Sequence, residues 1–165
     1  MLLGHSLGVQ VVAELLSTEP ADVRCAVLLT PTTDDAARNR FSQARRLAWD
    51  TSGEPLNLKF VQLFAAAACR ARVWWWTSRF MLDEHIEDAL EQVRVPLLIV
   101  RGDRDRLASA AWPQRLSAAC LESAVAEVPG AGHVVHWSHP AEVARLRWWW
   151  GTRELATMAV GESSP

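Results

Sequence analysis

The chain has 165 residues, half of them hydrophobic and 22% charged, with a formal net charge of −2. That is about one domain with enough apolar material for a core. The charge balance gives no reason to expect a nucleic-acid or acidic-membrane partner. Lys59 is the only lysine, and the arginines are scattered, which reads as a solvated surface. Cys25, Cys69 and Cys120 lie far apart with no C-x-x-C, so neither a disulfide framework nor a zinc site is indicated. Each reads as a small core residue, in keeping with a reducing cytoplasm. No charged leader with a cleavage site opens the sequence, and no apolar run reaches the ~18 residues that cross a membrane. No metal or other cofactor is expected.

The chain opens on Met1-Leu2-Leu3, a strand stub, followed by Gly4-His5-Ser6-Leu7-Gly8. This fits G-x-S-x-G, in which a strand turns sharply into a helix with the serine at the tip. Gly4 and Gly8 are expected to let strand and helix approach closely. Ser6 is expected in a strained conformation that lifts its hydroxyl clear. The Leu7 N–H would then sit at a helix N-terminus, suited to a developing oxyanion. His5 should point elsewhere. Val9 to Leu16 reads as a helix, Ser17 to Pro20 as a break, and Val23 to Leu29 as a strand buried on both faces. Pro31 to Asp34 is a turn into a helix.

Residues 33–92 change character and read as a helical insertion, a cap or lid. Asp35 to Trp49 is a charged helix, and Thr51 to Pro55 breaks it. Leu58, Val61, Phe64 or Ala65, and Ala68 recur at helical spacing, as do Leu82, Ile86, Ala89 or Leu90, and Val93. Asp83, Glu84, Glu87, Asp88 and Glu91 form a solvated face, and the lone His85 does not make it a metal site. Val95 to Arg101 returns to strand chemistry, and Gly102 to Asp105 ends it in a loop. Trp112 to Leu121 is helical, Val125 to Val128 a strand, and Pro129 to His133 a glycine-rich loop. Pro140 opens a last helix at its first position, where a missing N–H costs nothing. Gly161 to Pro165 is expected to fray. Trp74 to Trp76 and Trp148 to Trp150 cannot all face one side of a helix, so each triplet should expose at least one ring.

Strands and helices in alternation predict an α/β fold with a parallel sheet, whose active residues lie at the carboxyl ends of strands. Ser6, Asp105 and His133 each follow a strand. A serine hydroxyl needs a base, an imidazole suits that task, and a carboxylate holds the imidazole in the right tautomer.

Three stretches together resemble the α/β-hydrolase superfamily: Gly4 to Gly8, Pro96 to Asp105, and Gly130 to His133 followed by His139-Pro140. The order Ser, Asp, His is that family's order. The resemblance covers residues 1–32 and 93–160 as core, with 33–92 as the variable cap and 161–165 as a tail. It implies a catalytic Ser6, Asp105 and His133, with the Leu7 N–H as an oxyanion donor. The family spacing Gly-x-x-Asp selects Asp105, leaving Asp103 to cap a turn. His133 directly follows Gly132 and is preferred over His136 and His139; His139 more simply caps the last helix. A small hydrophobic ester is the implied substrate. The run Gly132 to Trp137 also resembles the carbon–carbon bond hydrolases of ring-fission products, in which Trp137 would lie near the substrate; under the plainer reading Trp137 is a core aromatic.

The sequence departs from the family pattern in what precedes Ser6. A complete member has strands and a His-Gly loop there, which supply the second oxyanion donor. Val9 also replaces a common glycine. The chain is therefore expected to be the C-terminal part of such a fold, with little or no turnover of esters by itself. A complementing N-terminal segment, or self-association as a non-catalytic binding fragment, is the expected partnership.

Overall fold

A computed structural model of the chain describes residues 1–161 apart from 19, 21, 36–37, 40, 43, 47–48 and 50–55. It leaves the side chains of residues 62, 63, 66, 71, 74 and 154–161 undescribed. The expected break at Thr51 to Pro55 and the tail beyond Gly161 fall outside this description.

Among the described residues four strands form one parallel sheet in the order β1 (Leu2–His5), β2 (Ala26–Leu29), β3 (Leu97–Gly102), β4 (Ser123–Val128). Parallel neighbours require crossovers. The first runs through α1 (Leu7–Ser17) and the last through α5 (Trp112–Ala119). The crossover from β2 to β3 is the long one and carries α2 (Leu56–Ala68), α3 (Ala71–Asp83) and α4 (Ile86–Gln92). After β4 come the single turn α6 (Val135–Ser138) and the long α7 (Pro140–Gly161), which opens on Pro140 as expected.

β2 and β3 are buried on both faces, as their unbroken apolar runs require. Alternate side chains serve two cores. Ala26, Leu28, Leu97 and Ile99 pack with Val9, Ala13 and Leu16 of α1, Ile86 and Leu90 of α4, and Trp112 and Leu116 of α5. Val27, Leu29, Leu98 and Val100 face the other way, onto Val135, Val143 and Trp150. The second core is where the last tryptophan triplet spends one of its rings. Trp150 is 1% exposed, against 73% for Trp148 and 49% for Trp149. Trp75 and Trp76 of the other triplet are also exposed.

The structure corrects several expectations. β2 begins at Ala26 rather than Val23, because the Val23 N–H turns back to the Pro20 carbonyl. β4 begins at Ser123, two residues early. The helix expected from Asp35 starts later: Arg38 and Asn39 are not helical, and the Asn39 side chain accepts the Ser42 N–H as a cap. The helix expected through Leu82 to Val93 is two, since Glu84 and His85 leave helical geometry between α3 and α4. α4 lies within the stretch read as the cap, yet it packs in the core against α1. The largest difference is α2. Of its expected buried face only Leu58 is buried, while Val61, Phe64, Ala65 and Ala68 are exposed. α2 is apolar nearly all round, so periodicity could not choose its inner face. Of the cysteines, only Cys25 is fully buried.

Candidate active site

β1 ends by pairing His5 with Leu29, and the Ser6 N–H donates to the Leu29 carbonyl at 3.0 Å. The chain then turns at once into α1. Ser6 has φ 55° and ψ −124°, a left-handed conformation that costs a non-glycine residue on the order of 1–3 kcal/mol. It holds because both sides of the turn are fixed. The Ser6 carbonyl accepts the Val9 N–H at 3.0 Å, and Gly4 lets the helix sit directly on the strand. A Cβ at Gly4 would lie 2.7 Å from the Gly8 carbonyl oxygen and 3.0 Å from Val12 Cγ2. The matching expectation for Gly8 is wrong: a Cβ there would meet nothing within 4 Å. The close approach is made by the Gly8 backbone and needs no missing side chain at that residue. Leu7 is the first residue of α1, so its N–H has no acceptor within the helix.

β3 and β4 bring in the other two groups. Gly102 ends β3, and a Cβ there would collide with the Ala131 carbonyl oxygen and lie 2.5 Å from that of Gly132. Glycine is therefore what allows the two loops to lie against each other. Three hydrogen bonds then tie them. Arg104 N–H donates to Ala131 O at 2.9 Å, Asp103 N–H to Val128 O at 3.2 Å, and Gly130 N–H to Asp103 Oδ1 at 2.7 Å. Asp103 caps a turn as expected, and the turn is that of the neighbouring loop, where Gly130 takes φ +79°.

Within this frame His133 Nδ1 lies 3.1 Å from Asp105 Oδ2, and His133 Nε2 lies 2.9 Å from Ser6 Oγ. A carboxylate only accepts, so Nδ1–H donates to Asp105, and in the tautomer with that proton alone Nε2 accepts from the serine hydroxyl. The other Asp105 oxygen accepts the Leu107 N–H at 2.9 Å. Asp105 and His133 are both buried, at 4% and 5% exposure. The family model described as the alpha/beta hydrolase family matches residues 1–146. The chain belongs to the alpha/beta hydrolase family.

Solved structures agree with the fold. The chain is similar to a bromoperoxidase from Bacillus anthracis (TM-score 0.74, 17% identity, covering 91% of this chain and 66% of that one). It is similar to an esterase from Exiguobacterium antarcticum (TM-score 0.72, 14% identity, 90% and 65%). It is also similar to E-2-(acetamidomethylene)succinate hydrolase (TM-score 0.66, 24% identity, 87% and 63%). The chain thus spans slightly less than two thirds of the length of these structures. No match is found among curated proteins.

Three residues around the site escaped the sequence reading. His5 does not point away from the site: its Nε2–H donates to the His133 carbonyl at 3.1 Å, and its ring lies 5.2 Å from that of His133 and 4.4 Å from that of His136. Burial, and then the neighbouring His133, hold its pKa down to about 4. Partial burial and His133 also lower that of His136. Arg101, buried in β3, donates from Nη2 to the Asp105 carbonyl at 2.8 Å and from Nη1 to Glu127 at 2.6 Å. Asp34, fully buried, accepts the Ser109 N–H at 2.9 Å and pairs with Arg115 at 2.6 Å, which fixes the far end of the acid loop. A signal for Arg101 existed: a lone charge inside a buried strand needs partners.

The remaining expected residues stand apart. His139 Nδ1 is 2.9 Å from Ser138 Oγ, and its carbonyl accepts the Val143 N–H, so its backbone starts α7. Trp137 is 45% exposed in α6, with no ring contact to His133 among the described residues.

Proposed function

We propose that this chain carries the centre of a serine hydrolase that cleaves an ester or related acyl bond. The observation behind the reading is the continuous chain of contacts from Ser6 Oγ through both nitrogens of His133 to Asp105. In the proposed reaction Ser6 Oγ attacks the acyl carbon as its proton passes to His133 Nε2. The carbonyl pair moves onto oxygen, which the Leu7 N–H stabilises at the start of α1. Asp105 holds the imidazolium in orientation. Collapse of the adduct expels the alcohol with the proton from His133, and water then releases the acid by the same steps in reverse.

A small hydrophobic substrate suits the apolar helices of the long crossover. One oxyanion donor is present in this reading, and loss of the second is worth about 10²–10³ in rate. That donor is expected from a segment pairing with the outer edge of β1. This strand is the last of the sheet, and Met1, Leu3, Val11 and Leu15 around it are exposed. The test is release of p-nitrophenol from short acyl esters by the chain and by its Ser6→Ala variant. A burst equal to the enzyme present, with slow turnover, absent in Ser6→Ala, is expected. Equal release by both proteins would overturn the assignment, and self-association with an unreactive Ser6 would favour a binding fragment.

A further inference from the structure

The loop that carries Asp105 is held from outside as well as from within. Arg101 of β3 donates to the Asp105 carbonyl. The Asp105 carboxylate accepts the Leu107 N–H at 2.9 Å, on the oxygen that His133 does not use. That bond resists rotation of the carboxylate about its Cβ–Cγ axis, so the place of Leu107 sets the plane in which Asp105 meets His133 Nδ1. Leu107 is 5% exposed. A buried carbonyl needs a donor, and the Leu107 carbonyl takes one from a remote part of the chain. Arg46, 61 positions earlier, donates to it from Nη1 at 2.8 Å.

Arg46 lies in the long crossover, among the helical residues 44–46. It is itself fixed. Its Nη1 stands 3.5 Å from Asp34 Oδ2, the oxygen that also accepts the Ser109 N–H at 2.9 Å. The other Asp34 oxygen pairs with Arg115 of α5 at 2.6 Å. A second tie lies about one helical turn further along. The Trp49 carbonyl accepts from Arg106 at 3.0 Å, and the Arg106 guanidinium lies 4.9 Å from the centre of the Trp49 indole. That second tie is exposed, and exposed contacts between charged side chains hold weakly. The first is sheltered by a fully buried Asp34 and uses a charged donor, which makes it the stronger of the two.

We infer that Arg46 is a positioning residue for Asp105: it straps the helical crossover to Leu107 and so makes the reactivity of Ser6 depend on where the crossover sits. The inference rests on the serine-hydrolase reading above. An unbroken series of hydrogen bonds leads from Arg46 through Leu107, Asp105 and His133 to Ser6 Oγ. Arg46 touches no reacting atom and acts only through Asp105. A small misplacement of a catalytic group is costly in rate. Residues that act as a unit are not additive, so a defect passed on through Asp105 adds little once Asp105 itself is disabled.

The rate at which Ser6 takes up a fluorophosphonate, followed by intact mass on the folded full chain, tests this. Arg46→Ala should slow labelling by about tenfold or more. In an Asp105→Asn background the same change should alter the rate by less than about twofold. A merely structural role would give the same factor in both backgrounds. Arg46→Lys keeps a donor for the Leu107 carbonyl and a positive charge for Asp34, and should label much faster than Arg46→Ala. Arg46→Met, which keeps the aliphatic stem, replaces Arg46→Ala if circular dichroism shows that variant unfolded. An unchanged rate in Arg46→Ala, equal factors in the two backgrounds, or Arg46→Lys as slow as Arg46→Ala would overturn the inference and leave the serine-hydrolase reading standing. A parent chain that takes no adduct on Ser6 would overturn that reading and the inference with it.

Discussion

His5 couples the pH stability of the molecule to the proposed catalytic site. Its pKa is held down to about 4 by burial and by His133, whereas an unfolded histidine titrates near 6.5. Between those values the unfolded chain binds the proton and the folded chain does not, so stability falls as pH drops from 6.5 towards 4. The limit is about 3 kcal/mol. Urea unfolding across this range should show that loss, and His5→Gln, which keeps an N–H for the His133 carbonyl, should flatten it. The downward shift at His136 leaves part of the slope in place. Parallel profiles for the two proteins would contradict the account. Residue by residue, Ser6, Asp105 and His133 were legible because each sits in a short motif at the end of a strand. His5 was not, because its role depends on residues 128 positions away that only the sheet brings near.

At the scale of elements, the site depends on how closely a few segments approach, and glycines show where. Gly102→Ala should press on the Ala131 and Gly132 carbonyls, displace the histidine loop and cost about 1–3 kcal/mol, with loss of Ser6 reactivity. Gly8→Ala should do the opposite. Its Cβ meets no atom, and alanine in a helix gains about 0.5–1 kcal/mol over glycine. Thermal unfolding of the two variants checks both signs, and a destabilised Gly8→Ala would contradict the geometry. The strands were legible as apolar runs, α1 and α5 as helical runs between breaks, and α7 from Pro140 at its first position. The long crossover was not. The sequence of α2 is apolar at most positions and so marks no single face, and Glu84 and His85 interrupt a helical pattern without a proline or glycine to announce it.

On the scale of the whole molecule, a four-stranded sheet brings three loops to one end and with them the serine, the imidazole and the carboxylate. That assembly uses contacts among the four strands, the loops that follow β1, β3 and β4, and the buried Asp34, all of them within this chain. The centre should therefore form within this chain, with the open edge of β1 affecting rate more than assembly. The most direct measurement is intact-mass analysis after exposure of the folded chain to a fluorophosphonate, beside Ser6→Ala. One adduct per chain, absent from Ser6→Ala, is the predicted result. A chain that is folded by circular dichroism yet takes no adduct, or an adduct retained in Ser6→Ala, would contradict it.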